Sequence, residues 1–407
     1  MRTVGIVAEY NPFHYGHAYQ LKKVRQISKA DCLVILMSGN VVQRGEFAII
    51  DKWQRAELAL LHGADLVIEL PLTASLQSAD FFADEAIEVL SRLKIGSLAF
   101  GTETANLDDL NQYLDWLTEN DLSIQEKIAT VMQSGVSYPF AYQNSINQVA
   151  KETNFRLTFD TASANHLLGI QYMRAIRKRQ LNIDIYPLPR VNEVQKLNQL
   201  LTLPQEMIPN KILSGSQIRQ NFWDNKLEPK NIPITTYQKL LENATSQWGH
   251  YYGLLKYAIM SLEPNGLREI HGLVEGFEQA IFKQNLQTQT FETLTQQLIS
   301  PRWTRSAINR MLMNILLHIK DQDWRRSQAQ QRELTYLRVL AFNSKGREFL
   351  KSFHSNNLRL FSNLSKNMEE HYRLMLRVDR IFQENPQSDI EEQIIGKHPV
   401  HRQYEMN

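Results

Sequence analysis

The order of apolar segments in the first hundred residues restricts the fold more than any other feature of the sequence. Short runs rich in branched aliphatic residues alternate there with segments of helical periodicity. This alternation, with near-continuous apolar strands, predicts a parallel sheet covered by helices on both faces. Strands are predicted at residues 3–10, 31–38, 65–70 and 97–100, and helices at 18–28, 51–62 and 78–93.

The rest of the chain divides into an insertion, a return to the sheet and a second domain. Residues 106–164 are helical and polar, and a helix at 165–179 and a strand at 181–188 follow them. Beyond Pro233 we find no strand pattern, only apolar residues recurring at intervals of three and four. We therefore predict an α/β domain over 1–228 with an insertion at about 106–164, a mostly α-helical domain over 229–385 and a polar tail over 386–407.

Composition narrows the class of protein. Among 407 residues there is a single cysteine, Cys32, which excludes a disulfide scaffold and a cysteine-based metal cluster. No apolar run approaches the roughly 18–20 residues of a membrane span, and the N-terminus lacks the pattern of a signal peptide. These features predict a soluble cytoplasmic protein without a membrane partner, and nothing in the sequence implies a stable protein partner.

Positive charge is concentrated in one region although the whole chain has a formal net charge of only +2. Residues 301–380 contain 16 Lys and Arg against 7 Asp and Glu. Arg302 and Arg305 flank Trp303, and Arg310 follows them; arginines next to an aromatic ring suit phosphate contact and base stacking. The pattern indicates a surface that binds a polyanion such as RNA, and the alternative is a helical region whose solvated face is rich in arginine.

The motif Asn11-Pro12-Phe13-His14-Tyr15-Gly16-His17 lies between the first strand and the first helix. A helix N-terminus presents unpaired N–H groups and a positive dipole, and both attract phosphate. Gly16 allows a nucleotide to approach the backbone closely, and the imidazoles of His14 and His17 can donate to triphosphate oxygens. We interpret His14 and His17 as catalytic residues of nucleotidyl transfer, although two surface histidines could share this spacing by chance.

A second candidate phosphate motif, Ser214-Gly215-Ser216-Gln217-Ile218-Arg219, opens a later helix. Ser214 and Ser216 can cap the helix and donate to phosphate, and Arg219 lies one turn further on, where it could bind pyrophosphate. The alternative is an ordinary capped helix with a surface arginine.

Together the two motifs resemble the HIGH-type nucleotidylyltransferase superfamily, and longer segments narrow the resemblance to the bacterial tRNA(Met) cytidine acetate ligase family. The likeness runs from Val4 to about Phe353. It is carried by GIVAEYNPFHYGHAYQL, MSGNVVQRGEFAIIDKWQRAELAL, GADLVIELP, QSADFFADEAI, LAFGTE, NHLLGIQYMRAI, PRWTRSAINRMLMNILLHI and YLRVLAFNSKGREFLKSF.

The resemblance implies a Rossmann-like catalytic domain and a specific reaction. Members of that family activate acetate with ATP to acetyl-adenylate and transfer the acetyl group to N4 of the wobble cytidine of elongator tRNA(Met). We expect Mg²⁺ to accompany ATP, but no metal-binding residues are predicted. The implied ATP-binding residues, with the second motif added, are Val7, Ala8, Glu9, Tyr10, Asn11, Pro12, Phe13, His14, Tyr15, Gly16, His17, Ala18, Tyr19, Gln20, Gly101, Asn165, Arg190, Ser214, Ser216 and Arg219. The predicted tRNA-binding residues are Arg44, Arg302, Arg305 and Arg310.

The sequence departs from the family pattern around Arg190. Relatives tend to have Gly-Ala-x-Tyr-His after this arginine, whereas residues 191–193 here are Val-Asn-Glu. The second motif also has Gly215 and Gln217 where alanine is more usual. The first departure removes aromatic and histidine groups near the site. It leaves two alternatives open, the full activity of the family or an altered binding of the substrate.

Several residues near the expected sheet edge allow two interpretations. Arg44 is interpreted as facing phosphates or tRNA, against a structural ion pair. Asp51 and Trp53 lie at the start of the next helix, and their role could be structural or functional. Glu69 could be a buried carboxylate with all its hydrogen bonds made, or a magnesium contact. His62 is interpreted as structural, with a protonated imidazole at a helix C-terminus.

Two other functions stay open at this point. One is a small-molecule adenylyltransferase, which would not need a large helical domain with a basic stretch. The other is a non-catalytic RNA-binding relative, which would be expected to have lost His14 or His17, and both are present.

Overall fold

We describe the protein from a computed structural model. The structure describes residues 1–102, 106–157, 163–243, 245–333, 335–365, 368–386, 393–394 and 396–402, without the side chains of residues 164 and 165. Its strands are β1 Thr3–Ala8, β2 Cys32–Ser38, β3 Val41–Val42, β4 Glu46–Phe47, β5 Leu66–Leu70, β6 Ser97–Thr102, β7 Asp184–Pro189, β8 Thr335–Phe342, β9 Leu358–Phe361 and β10 Val400–His401. Its helices are α1 Tyr15–Ser28, α2 Lys52–Leu61, α3 Leu72–Ser75, α4 Ala79–Arg92, α5 Leu107–Glu119, α6 Asp121–Met132, α7 Tyr138–Glu152, α8 Ala164–Lys178, α9 Val194–Leu201, α10 Gly215–Trp223, α11 Ile234–Glu242, α12 Trp248–Leu267, α13 Phe277–Gln287, α14 Phe291–Leu298, α15 Arg305–Leu316, α16 Asp321–Glu333, α17 Ser344–Ser352 and α18 Arg373–Phe382.

The main sheet has the strand order β10-β8-β5-β2-β1-β6-β7, with β9 also paired to β8. The five strands from β5 to β7 run parallel, so their carboxyl ends meet at one edge. Helices α1 and α2 cover one face, and α4, α8 and the insertion helices cover the other. The predicted α/β fold is therefore confirmed, including the helices on both faces of the parallel sheet.

The expectation that no strand follows Pro233 is wrong. Thr335–Phe342 form β8, which pairs antiparallel with β5, and β9 and β10 pair parallel with β8. The run TYLRVLAF carries apolar residues on both faces of the strand. The periodicity of such a run does not distinguish a buried strand from a buried helix. The remaining C-terminal region is mostly helical as expected, and α12–α15 and α18 form a hydrophobic core together with residues of β3, β4 and α3.

The boundaries of the predicted domains at residues 228 and 385 stay predictions. The polar tail is predicted over residues 386–407, and its described part includes β10, which extends the sheet. Among the described residues, none of the helices combines the length and apolarity needed to cross a bilayer.

A buried cluster of charges attaches the C-terminal helix α18 to the sheet. Lys52 donates to Glu69 at 2.8 Å and to Asp379 at 2.6 Å, and all three side chains are buried. The Tyr372 hydroxyl also donates to Glu69, and Asn40 donates to Asp379 at 3.0 Å. Because each charge is paired and hydrogen-bonded, the cluster is stable only while every member is present.

We predict that Lys52→Met lowers the free energy of unfolding by about 3–5 kcal/mol, because the buried carboxylates of Glu69 and Asp379 lose the cation they share, and Arg338, 4.0 Å from Asp379, does not replace it. Urea denaturation followed by circular dichroism measures this loss. Lys127→Met is the matched control, since it removes a more exposed ion pair with Glu152 and should cost at most about 1 kcal/mol. Equal effects of the two substitutions would contradict the role given to the buried cluster.

Candidate active site

The first predicted motif connects the carboxyl end of β1 to the start of α1. Tyr10 adopts a left-handed backbone with φ of 47°, which is uncommon for a residue other than glycine. The rings of Tyr10 and Phe13 are buried and pack edge to face, with centroids 4.9 Å apart. The surrounding contacts thus hold this loop in one conformation, as is frequent at functional sites.

His14 and His17 form a stacked pair at the N-terminus of α1. Their ring centroids are 3.6 Å apart and the rings are inclined by 16°. The backbone N–H of His14 donates to Nδ1 of His17 at 3.2 Å, so the proton of a neutral His17 ring is assigned to Nε2. A Cβ at Gly16 would lie only 3.0 Å from Cε1 of His14. Gly16 therefore makes room for the His14 ring. The close approach of a nucleotide to Gly16 stays a prediction from the sequence.

Both imidazoles of the pair are neutral at pH 7. Burial lowers the pKa of His14 to about 4, and the charge of Arg190 contributes to the lowering. Burial and the neighbouring His14 hold the pKa of His17 well below its usual range. Each neutral ring carries one N–H donor, and an anion placed against the pair would favour proton uptake.

The second motif packs directly against the first. A Cβ at Gly215 would lie 2.9 Å from the carbonyl oxygen of Asn11, which shows how closely the start of α10 approaches the loop. Arg219 donates to that same carbonyl at 2.7 Å and forms an ion pair with Glu46, also at 2.7 Å. The Arg219 guanidinium therefore joins the loop to strand β4, which is a role that the motif alone did not predict.

The hydroxyl residues of the second motif divide into a cap and an exposed group. Ser214 caps α10 by accepting from the N–H of Gln217 at 3.4 Å, and the Gln217 side chain accepts from the N–H of Ser214 at 2.9 Å. This reciprocal pair explains glutamine at a position where alanine is more usual. Ser216 is exposed in the first turn.

Three further predicted ATP-binding positions lie at or near the carboxyl ends of β6 and β7. Gly101 pairs with Leu188 in the sheet, and the space beyond its Cα is open. Arg190 follows β7, is exposed, and acts electrostatically on His14. The side chain of Asn165 lies outside the described residues, but its neighbour His166 is hydrogen-bonded through Nδ1 to the Thr102 hydroxyl at 2.9 Å. The start of α8 is thereby fixed beside the end of β6.

Arg55 is a site residue that sequence reasoning missed. Its buried guanidinium donates to the carbonyl of Glu9 at 2.6 Å and to those of Ser38 at 3.1 Å and Gly39. These carbonyls follow β1 and end β2, so Arg55 sets the position of both strand ends. The role of Arg55 could have been suspected from the sequence, because a charged residue lies among the apolar positions of its helix, such as the adjacent Ala56.

The β3–β4 hairpin brings a predicted RNA-binding arginine to the edge of the site. Glu9 accepts from the backbone N–H of Gln43 at 2.8 Å, and Arg44 lies exposed in the following turn, near the Glu9 carboxylate. Gly45 has φ of 71°, and a Cβ there would lie 2.4 Å from the backbone nitrogen of Arg310. Helix α15 thus packs against the hairpin, and Arg44 and Arg310 lie on neighbouring segments.

The other two predicted RNA-binding arginines lie apart from this loop. The Arg302 guanidinium lies 5.2 Å from the ring centroid of Trp303, and Arg305 donates to the Thr295 hydroxyl at 3.4 Å. Both side chains are exposed at the start of the α15 region. They are available to a large ligand that extends beyond the site.

Contacts in the structure favour a structural role for Asp51, Trp53 and Glu69, whose interpretation the sequence left open. Asp51 caps α2 and Trp53 is buried on the sheet. Glu69 accepts from Lys52 at 2.8 Å, which favours the interpretation as a satisfied buried carboxylate. His62 stacks on Phe13 with centroids 4.8 Å apart, but burial lowers its pKa to about 4, so the predicted protonated imidazole at the helix end is wrong. Within the described part of the chain, no group of three or more His, Cys, Asp or Glu side chains could hold a metal ion.

Comparison with known proteins places this chain in a known family. The HIGH Nucleotidyl Transferase family model matches residues 1–395. A tRNA(Met) cytidine acetate ligase of Staphylococcus aureus is 33% identical over 351 residues, with 86% of each chain covered. One of Pediococcus pentosaceus is 31% identical over 385 residues, covering 94% of this chain and 95% of the relative.

The fold is also similar to a solved structure. A crystal structure of Thermotoga maritima TmcAL bound with alpha-thio ATP has a TM-score of 0.84 at 24% identity, covering 99% of this chain and 100% of that one. The whole chain therefore shares the fold of that protein.

We predict that triphosphate binding can be observed on His14 by NMR. The His14 imidazole should titrate near pH 4 in the protein alone, and inorganic tripolyphosphate should raise this midpoint because the anion stabilises the imidazolium. His62 is the internal control, since its pKa is also about 4 but its ring faces Phe13 and Thr235. A His14 midpoint that ignores the anion, or one that moves together with that of His62, would contradict the prediction.

Proposed function

This chain belongs to the tRNA(Met) cytidine acetate ligase family of HIGH nucleotidyl transferases, and we propose that it activates acetate with ATP and acetylates N4 of the wobble cytidine of elongator tRNA(Met). The observation that carries the proposal is the stacked His14–His17 pair at the N-terminus of α1, held against the second motif by Arg219. The arrangement combines imidazole donors with a helix N-terminus at the sheet edge where ligands bind in such folds.

In the first step an acetate oxygen attacks the α-phosphorus of ATP. A bond forms between that oxygen and phosphorus, and the bond from phosphorus to the bridging oxygen of pyrophosphate breaks. His14 and His17 would donate to the phosphate oxygens, where negative charge develops. No protein nucleophile is required, because positioning and electrostatic stabilisation suffice for this displacement.

In the second step the N4 amine of cytidine attacks the acetyl carbon. The new carbon–nitrogen bond replaces the carbon–oxygen bond to AMP, and the nitrogen loses a proton. The cytidine must be unstacked for its amine to reach the acyl group, which suits a base in an anticodon loop. Gly101 leaves open space at the strand end beside β7, where a ligand could lie.

ATP is thus a substrate, and Mg²⁺ is proposed to enter with it. This ion commonly binds through substrate phosphates and retains several waters. Glu46 forms an ion pair with Arg219, and Glu9 accepts from the Gln43 backbone, so both carboxylates near the site already have partners. No step of the reaction is assigned to Mg²⁺. The positively charged region that would hold the tRNA backbone includes Arg44, Arg302, Arg305 and Arg310.

We predict that purified protein transfers label from acetate to unmodified tRNA(Met) with ATP and without acetyl-CoA. ATP–pyrophosphate exchange should depend on acetate. If exchange occurs but no label reaches the tRNA, the chain is a small-molecule adenylyltransferase instead. If neither occurs, the proposed function fails and a non-catalytic RNA-binding role is favoured.

Substitution of His17 separates its chemical role from its structural one. His17→Gln keeps an acceptor for the His14 N–H, as glutamine does in a capping box, but removes the imidazole. We expect both His17→Gln and His17→Ala to abolish exchange while tRNA affinity stays within about two-fold of the unsubstituted chain. Full exchange activity in His17→Gln would show that the histidine only caps the helix.

We predict that Arg305→Ala weakens tRNA binding and reduces the slope of log affinity against log salt by about 1, because one phosphate contact is lost. Filter binding at salt concentrations from about 50 to about 200 mM measures this slope. Arg177→Ala is the control, since Arg177 pairs with Asp115 at the opposite end of α8 from the site. An unchanged slope in Arg305→Ala would place the RNA elsewhere.

A further inference from the structure

The second step of the proposed reaction releases a proton from N4 of the cytidine and therefore needs a base. The amine carries two protons when it attacks the acetyl carbon, and the amide product keeps one. A base held beside the reacting amine accelerates such a step by roughly 100- to 10,000-fold. His14 is poorly suited to this task, because its pKa is about 4 and its ring is assigned to the phosphate oxygens.

Glu9 lies at the edge of the sheet where this base is needed. It follows β1 directly and precedes Tyr10, whose ring centroid lies 4.8 Å from that of His17. Its backbone carbonyl accepts from Arg55 at 2.6 Å, and the same guanidinium nitrogen donates to the carbonyl of Ser38, the last residue of β2. Glu9 is thus fixed at the ends of two neighbouring strands, at the start of the loop that carries the histidines.

The alternation of side chains along β1 places Glu9 on the face of the sheet opposite α1. Val7 packs into the core beneath α4 and α8, whereas the adjacent Ala8 packs with α1 and α2 on the other face. Because successive side chains of a strand point to opposite faces, Glu9 lies on the same face as Val7. A ligand at the strand ends can therefore meet the imidazoles from one side and a carboxylate from the other.

One oxygen of the Glu9 carboxylate is available to a ligand. Oε1 accepts from the backbone N–H of Gln43 at 2.8 Å, which holds the carboxylate in place. Oε2 makes no hydrogen bond with any residue that the structure describes, and the side chain is partly exposed. Glu46, a second carboxylate at this edge, is instead paired with Arg219 at 2.7 Å. Glu9 is therefore better placed than Glu46 to accept a proton.

Two buried hydroxyls near Glu9 also lack hydrogen-bond partners within the described part of the chain. One is that of Ser38, and the other is that of Tyr172 on α8. The Tyr172 ring lies 6.0 Å from the ring of Phe100, centroid to centroid, and Phe100 belongs to β6, the other neighbour of β1. Buried hydroxyls are nearly always hydrogen-bonded, so polar atoms of a ligand are expected on this face.

We propose that Glu9 is the general base of acetyl transfer and accepts the proton that N4 of the cytidine releases. The inference deepens the proposed function and rests on it. As N4 bonds to the acetyl carbon, an N–H bond breaks and its proton passes to Oε2 of Glu9. The carbon–oxygen bond to AMP then breaks with its electron pair, and AMP leaves as the phosphate anion. Glu9 afterwards releases the proton to water.

The surroundings of Glu9 suit a base that works near neutral pH. Burial raises the pKa of the Glu9 carboxyl, against the Gln43 N–H, which lowers it, and the Glu46 carboxylate raises it further. A base is most effective when its pKa lies near the working pH. The charged and titratable groups that act on Glu9 are Glu46, Arg44, Arg219, Arg55 and Tyr172.

The test measures the two steps of the reaction separately in Glu9→Gln. Glutamine keeps an acceptor for the Gln43 N–H but cannot take up a proton. Transfer from added acetyl-adenylate to unmodified tRNA(Met) should fall by roughly 100- to 10,000-fold. Acetate-dependent ATP–pyrophosphate exchange should fall by about ten-fold at most, because acetate attacks phosphorus without losing a proton and positioning suffices for that step.

A pH profile provides a readout that a merely structural role would not change. In the unsubstituted chain, transfer from acetyl-adenylate should slow as the pH falls through the pKa of Glu9, since a protonated carboxyl cannot accept a proton. Glu9→Gln should lack this step.

Glu46→Gln is the matched control, because it removes another carboxylate at the same edge. It should keep the pH step but move it to lower pH, since the Glu46 carboxylate raises the pKa of Glu9. It should also lower exchange and transfer by the same factor, because Arg219 loses a partner that holds the loop. Unfolding midpoints from circular dichroism show that both variants retain the fold.

The outcomes distinguish this inference from the proposed function. Equal losses of exchange and transfer in Glu9→Gln would indicate a ligand of ATP or Mg²⁺ and overturn the inference, as would unchanged transfer. A pH step that persists in Glu9→Gln would place the base elsewhere and also overturn it, although acetyl transfer by the unsubstituted chain would still support the proposed function. If the unsubstituted chain transfers no acetyl group to tRNA(Met), the proposed function fails and the inference fails with it.

Discussion

The buried guanidinium of Arg55 is the interaction on which the geometry of the site depends. Backbone carbonyls that follow β1 and end β2 lie inside the protein, where each needs a hydrogen-bond donor. Arg55 satisfies the carbonyls of Glu9, Ser38 and Gly39, and also that of Ile50 at 3.1 Å. Because an unsatisfied buried carbonyl is costly, these four contacts fix the strand ends relative to α2. Lysine could not reach them all with one point charge.

A second buried cluster extends this constraint to the C-terminal region. Lys52 lies one turn before Arg55 on α2, and its backbone N–H donates to Asn40 at 2.8 Å while its side chain holds Asp379. The same helix thus supports the loops of the candidate site and the region that carries the predicted RNA-binding arginines. An enzyme that must deliver one base of a large RNA to an adenylate needs such a fixed relation between the two regions. The Lys52 contacts to Asp379 supply it.

The candidate site could be recognised from the sequence, but the roles of several residues could not. The His14–His17 motif and the capped helix at Ser214 are local patterns, and the structure brings the two together as predicted. Gly16, however, accommodates the His14 ring, and Arg219 binds Asn11 and Glu46. These contacts join residues that are distant in the sequence, so no local pattern could have indicated them.

The sequence by itself determined the strand–helix alternation, the caps and the position of the candidate phosphate-binding motif, because periodicity and capping depend on residues within a few positions of each other. Only the tertiary structure decided that Thr335–Phe342 complete the sheet and that Arg55 and Lys52 face inward. Pairing over such distances is selected by the packing of the whole chain. A charged residue on an apolar helix face signals a buried partner, but the partner is found only after the chain has folded.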